Sequence, residues 1–280
     1  MKKVLLLGAT GMLGSAVYGA LKDKYELMLT VRSKKKIALL ESAYGGTDKH
    51  RVIEFDARND EKYLGEFFEA VKDVDFAINA IGITQPFAAK DPSMTYFING
   101  ALPHLLAKTF GPRLIHIATD GVYDGKEGSY DENAAKNPIG IYAESKSRGE
   151  PEDSLTLRTS ILGRELEGHT SLIEWFLHQE GKTIQGFAEH YWNGVTAKEF
   201  GNVCDRIMSS PGKYPVSGIY HIFSDTVSKY DILVALKEKF NVRCFIVPEH
   251  EHICNRTLST IYDFNKELGI PSFKEMLARL

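Results

Sequence analysis

Residues 3–14 constrain this chain more than any other stretch. Val4-Leu5-Leu6-Leu7 is a short apolar run that stops at Gly8, Gly11 and Gly14, after which residues 15–22 read as a helix. A buried strand that turns on regularly spaced glycines into a helix is how an α/β unit opens. Such a turn lets backbone approach a pyrophosphate with no Cβ in the way, and the helix start offers free N–H groups and the positive end of its dipole. Gly8, Thr10, Gly11, Met12, Leu13 and Gly14 are therefore expected to hold a dinucleotide, although G-x-x-G-x-x-G departs from the commoner G-x-G-x-x-G. The glycines also interrupt what would otherwise pass for a secretory leader, and no run of 18 apolar residues follows. The expectation is a cytoplasmic chain without a membrane span.

The opening rhythm continues. Strand-like runs at Lys3–Leu7, Glu26–Val31, Arg51–Phe55, Phe76–Ala80 and Leu114–Ala118 alternate with helix-length segments, and the runs are continuously apolar, as in a parallel sheet covered on both faces. The expected fold class is α/β, a Rossmann-like doubly wound parallel sheet. Beyond Leu155-Thr156-Leu157-Arg158 the alternation loosens, with helices expected near 171–180, 197–208, 229–240 and 272–280. This gives a cofactor-binding domain over 1–160 and a smaller, mainly C-terminal substrate lobe over 161–280, from which segments can return to the sheet. A chain of 280 residues with net charge −3 has no basic field for nucleic acid or an anionic membrane, so a small-molecule partner is expected. Three scattered cysteines form no disulfide framework.

About 20 residues past such a glycine turn an acidic side chain would hold the ribose of NAD. Here residues 27–40 carry no acid, only Arg32 and Ser33 followed by Lys34, Lys35 and Lys36. Cations beside a hydroxyl suit a ribose 2′-phosphate, so the expected cofactor is NADP, supplied as NADPH. Asp56, closing the third strand, is a candidate acceptor for the adenine amino group, with a helix cap as its alternative.

Tyr142 and Lys146 stand four apart, so on a helix a phenol and an ammonium share one face. The same spacing recurs at Tyr18/Lys22 and Tyr262/Lys266, and context selects among them. Only Tyr142 follows a strand that ends in a hydroxyl, Thr119, at the carboxyl edge where ligands of open α/β sheets bind.

These residues, with Asn79-Ala80-Ile81-Gly82 after the fourth strand, resemble the extended short-chain dehydrogenase/reductases, and most closely the dTDP-4-dehydrorhamnose reductase family. The segments ATDGVYDG, IYAESKSRGE and LTLRTSILG carry the likeness, which runs on through the tail. The resemblance implies hydride transfer from NADPH to a nucleotide-linked 4-keto-6-deoxy sugar, with Tyr142 as proton donor, Lys146 steadying the phenolate and binding nicotinamide ribose, and Thr119 bonding the carbonyl oxygen. It implies further cofactor contacts at Asp56, Ala57, Asn79, Ala80 and Ile81, and substrate contacts at Asp120 and Arg256. Family members have Arg-Pro where this chain has Arg256-Thr257. The related dehydratases follow their Thr with Asp-Glu; here Asp120 is followed by Gly121. Two alternatives stand beside this reading: an NAD-retaining epimerase or dehydratase, and a non-catalytic NADP-binding regulatory protein. A homodimer is left open.

Trp192 and Asn193, an aromatic and an amide opening the lobe, suit stacking and bonding to a nucleotide. His250, His252 and Cys254 lack a second clustered pair and read as an exposed loop with no metal. His116, Trp175 and Phe176 read as packing.

Overall fold

The apolar runs become seven parallel strands, β1 (Lys3–Leu7), β2 (Glu26–Val31), β3 (Arg51–Glu54), β4 (Phe76–Asn79), β5 (Leu114–Thr119), β6 (Leu155–Thr159) and β7 (Gly218–His221). They lie in the order β7-β6-β5-β4-β1-β2-β3, a Rossmann-like doubly wound sheet. The structure, a computed structural model, describes residues 1–59 and 61–280. The helices used below are α1 (Met12–Leu21), α2 (Glu61–Val71), α3 (Leu102–Phe110), α4 (Gly140–Arg148), α5 (Ala197–Ser209) and α6 (Lys229–Phe240).

Strand alternation divides the core. Val4 and Leu6 point to one face, where Val17 and Leu21 of α1 meet Phe200, Val203 and Ile207 of α5. Leu5 and Leu7 point to the other, against Leu64 and Phe67 of α2 and Leu102, Leu106 and Phe110 of α3. Cover on both faces is why Val4 to Leu7 are fully buried and why β1 has no polar alternation.

Two elements of the second half belong to this sheet. β7 pairs with β6, Gly218 opposite Leu155, and α5 lies along α1 so closely that a Cβ on Gly201 would come 2.7 Å from the Ala20 Cβ. The remainder forms a lobe whose core includes Ile173, Phe176, Trp192, Ile232 and Leu236. Its strands are short: Thr183–Phe187 pairs with Phe245–Glu249, and His190–Trp192 lies between Val227–Ser228 and Cys254–Asn255. A capping box starts α6, with Ser228 Oγ accepting the Asp231 N–H and the Asp231 carboxylate accepting the Ser228 N–H, each at 3.0 Å. Among the described residues, no helix is long and apolar enough to cross a membrane, and Cys204, Cys244 and Cys254 are buried free thiols.

Candidate active site

The strand order reverses between β1 and β4, and at such a reversal a crevice opens beyond the carboxyl ends of the strands. The glycine turn forms its floor. Gly8 has φ +80°, a left-handed conformation that side chains resist. Its N–H donates to Thr30 Oγ1 at 2.8 Å. A Cβ on Gly14 would lie 2.1 Å from the Gly8 carbonyl oxygen, so α1 can start directly against the turn only because that position is glycine. At Gly11 the nearest atom to such a Cβ is the same oxygen at 3.5 Å, and the residue is exposed. Gly11 caps α1 with no side-chain bond, and the first turn has no acid. The first N–H groups and the dipole are thus available to an anion, and the turn fits a pyrophosphate.

The other expected cofactor residues surround this turn. Thr10 and Met12 are half-buried while Leu13 is buried in the core. Ala80 and Ile81 lie on Gly8, whose hypothetical Cβ would meet Ile81 Cγ1 at 3.1 Å. Asn79 is fully buried, its Oδ1 accepting the Ile81 N–H at 3.1 Å and its Nδ2 bonding the His116 ring at 3.1 Å, so it shapes the β4 turn. Arg32 stands exposed past β2 with Ser33 half-buried. Beyond them the Lys34 and Lys35 side chains are exposed, the Lys34 backbone N–H donates to Glu54 at 3.1 Å, and Lys36 pairs with Glu167 of the lobe at 2.5 Å. Asp56 is engaged by Arg58, Nε at 2.9 Å and N–H at 3.1 Å. That contact holds its carboxyl below the usual range, with Arg32 adding a smaller pull. Its carboxylate is turned to its own segment, with Ala57 buried next to it.

On the other side of the crevice β5 ends in Thr119. Its hydroxyl accepts the Gly121 N–H at 3.1 Å and donates to Asp120 at 3.2 Å. Tyr142 of α4 faces it. Burial pushes the phenol above its ordinary pKa, the Thr119 hydroxyl pulls back by hydrogen bonding, and the Asp120 charge pushes up again. Lys146, one turn on, is buried and donates to the Ile117 carbonyl at 2.7 Å. Burial drives it down to about 8, against the pull of Glu150. The Lys146 ammonium thus bonds a main-chain carbonyl, and burial is the largest influence on the Tyr142 phenol. The two rival pairs lie elsewhere. Tyr18 is buried, its hydroxyl on the Gly45 carbonyl at 2.8 Å, and Tyr262 is exposed.

Two cations act on Asp120. Burial raises its carboxyl, against the pull of Lys229 and Arg256. Lys229, the first residue of α6, is lowered by burial with Asp120 opposing, and its Nζ lies 5.9 Å from the Trp192 ring centre. Arg256 is fixed by donation from Nε to the Tyr123 carbonyl at 3.0 Å. Next come three near-parallel rings, with Phe187 4.5 Å and His190 5.5 Å from His252 between centres. Burial, then the Lys229 charge, brings His190 down to about 4, so this ring is neutral at neutral pH. An anionic group held by cations, with a flat ring system beside it, matches these walls.

The structure brings Thr119, Asp120, Tyr142, Lys146 and Arg256 together. It engages Trp192 and Asn193 otherwise. Trp192 is 4% exposed and packs edge-on against Phe273 in the lobe core. Asn193 exchanges two hydrogen bonds with the Leu258 backbone, at 2.8 and 2.9 Å, tying down the tail that carries Arg256. A buried amide needs both ends satisfied, and this main-chain partner satisfies them. Lys229, Phe187, His190 and His252 line the mouth without any sequence motif. Asn99, in a π-helical turn before α3, was also not legible. Its amide bonds both backbone groups of Ile83, at 2.8 and 2.9 Å, and Ser145 Oγ of α4 at 3.1 Å, joining the cofactor wall to the Tyr142 helix. His250 is exposed beside Glu189, whereas Cys254 is buried. His116 and Phe176 are fully buried and Trp175 is partly exposed. Among the described residues no cluster of three or more His, Cys, Asp or Glu could hold a metal.

The model of the family described as RmlD substrate binding domain matches residues 1–256. A curated protein of Danio rerio, methionine adenosyltransferase 2 subunit beta, is 28% identical over 266 residues, covering 86% of this chain and 75% of its own. The dTDP-4-dehydrorhamnose reductase of Aggregatibacter actinomycetemcomitans is 26% identical over 253 residues, covering 84% of this chain and 78% of its own. The crystal structure of dTDP-4-dehydrorhamnose reductase from Bacillus anthracis str. Ames, in complex with NADP, superposes with a TM-score of 0.73 at 17% identity, covering 100% of this chain and 98% of that one. That likeness is one of fold.

Proposed function

The chain belongs to the RmlD substrate-binding-domain family, and from that premise we propose that it is an NADPH-dependent reductase of a nucleotide-linked 4-keto-6-deoxy sugar. One observation carries the reading: Thr119, Tyr142 and Lys146 meet at the carboxyl edge of the sheet, between an uncapped glycine turn and an Asp120–Lys229–Arg256 mouth. The relatives named dTDP-4-dehydrorhamnose reductase support it.

The glycine turn would hold the cofactor's pyrophosphate, Arg32, Ser33 and Lys36 its 2′-phosphate, and Lys146 its nicotinamide ribose. NADPH, when bound, supplies a hydride to the keto carbon. Thr119 donates to the carbonyl oxygen as negative charge grows there, and Tyr142 delivers the proton that completes the alcohol. The phenol is protonated at neutral pH and the forming alkoxide is a much stronger base, so the proton transfer runs downhill even with the phenol raised by burial. Lys229 and Arg256 bind the substrate diphosphate, and the rings of Phe187, His190 and His252 receive its base. Reduction is favoured over dehydration because Gly121 offers no base: a Cβ there would sit 3.3 Å from Thr119 Oγ1, against the reacting hydroxyls.

The test is NADPH oxidation by the purified protein against dTDP-, UDP-, GDP- and CDP-linked 4-keto sugars. At least one should be reduced, one NADPH per alcohol, and Tyr142→Phe should slow turnover by about 10² to 10⁴ with NADPH affinity kept. A Tyr142→Phe protein that turns over at the wild-type rate rules out the proton donor. A second reading is supported by the Danio rerio relative, a subunit by name: a cofactor-holding subunit without turnover. Tight NADPH binding with no reduction of any sugar favours it.

A further inference from the structure

Of the cations that follow β2, one is already engaged by an acid. Arg32, Lys34 and Lys35 have no carboxylate within ion-pair distance among the described residues, whereas Lys36 Nζ donates to Glu167 Oε2 at 2.5 Å. That carboxylate comes from 131 residues further along the chain, in the loop over 163–170 that leads from the sheet into the lobe. Both ends of the loop are fixed. At its start Gly163 lies so close to the glycine turn that a Cβ there would come 3.2 Å from Met12 Cγ. Further along, Arg164 pairs with Glu174, and the Glu165 carboxylate accepts the Thr170 N–H at 3.0 Å and its hydroxyl at 2.6 Å. Glu167 stands between these anchors as the loop's ion pair to the residues after β2. The side chains of Lys36 and Glu167 are 39% and 62% exposed, so their contact can open without disturbing the core.

We propose that Glu167 is a specificity-determining residue for the cofactor, one that competes with the ribose 2′-phosphate of NADPH for Lys36 and so limits the preference for NADPH over NADH. The inference rests on the reading of Arg32, Ser33 and Lys36 as the 2′-phosphate site. A phosphate monoester at neutral pH carries close to a double negative charge. A carboxylate one ammonium away repels it and occupies a donor it would use. NADH brings a neutral hydroxyl to the same place and meets neither cost. The hydrogen bond from Lys36, and then its charge, hold the Glu167 carboxyl below the usual range, so the competitor is an anion at neutral pH. Because the pair is solvated, it is weak enough for a phosphate to displace, and its effect on affinity is modest and falls with salt. A role in holding the loop alone predicts no difference between the two cofactors.

The experiment is calorimetric titration of the wild type, Glu167→Gln and Lys36→Met with NADPH and with NADH, at low and at high salt. Glu167→Gln should tighten NADPH by about two- to fivefold at low salt, leave NADH where it was, and lose most of that gain at high salt. An unchanged or weaker NADPH affinity, or an equal gain for NADH, overturns the proposal. Lys36→Met tests the underlying reading separately and should weaken NADPH more than NADH. If it does so while Glu167→Gln changes nothing, the 2′-phosphate site stands and the competitor role of Glu167 falls. If it weakens both cofactors alike, or neither, the site itself is misplaced and the inference falls with it.

Discussion

Lys229 opens a lobe helix, and its ammonium faces Asp120 and Arg256. Lys229→Met keeps an aliphatic stem near Trp192 and removes the charge. A hydrogen bond to a charged group is worth roughly 1.5–3 kcal/mol, so KM for the nucleotide sugar should rise by about 10- to 100-fold while kcat and NADPH affinity change little. Steady-state kinetics check this, and an unchanged KM takes Lys229 out of the substrate site. Sequence made Thr119, Tyr142 and Lys146 legible because one strand end and one helical turn fix their relation. Lys229 escaped because its capping box, Ser228 to Asp231, tells where a helix begins and not what its first residue faces. Trp192 and Asn193 were misleading in the opposite sense: their residue types suit a ligand, but the lobe's own core and backbone engage them.

Among the elements, the turn into α1 separates fold from function at two glycines. Gly14→Ala drives a Cβ to 2.1 Å from the Gly8 carbonyl; overpacking of this kind costs about 1–3 kcal/mol or more, and the urea midpoint should fall along with NADPH binding. Gly11→Ala has 3.5 Å of clearance but exchanges a good N-cap residue for a poor one, which costs about 0.5–1 kcal/mol. Its midpoint should therefore fall less than that of Gly14→Ala while, on the proposed function, NADPH affinity falls at least about tenfold, because the new methyl would stand where a pyrophosphate approaches. Equal losses in both variants would refute this division. The first five sheet strands were legible to within a residue, since burial on both faces leaves continuous apolar runs. The lobe strands, some only two residues long, are held by tertiary contacts such as Cys254 opposite His190 and have too little length for a pattern.

At the scale of the molecule, a cut near residue 160 removes β7 from the sheet and α5 from α1. A fragment of residues 1–160 is therefore expected to lack cooperative unfolding and NADPH affinity, as circular dichroism melts and fluorescence titration would reveal; a fragment that melts sharply and binds NADPH would prove the first half self-sufficient. The missing linker near 160 was legible, whereas the return of α5 and β7 depends on packing that no local pattern encodes. The same return sets an order of events during synthesis. A ribosome releases the glycine turn first and the helix that shields α1 only after most of the chain has followed. Through that interval Val17 and Leu21 have no α5 to cover them, and the nascent chain is a natural client for a holding chaperone until residue 209 has emerged.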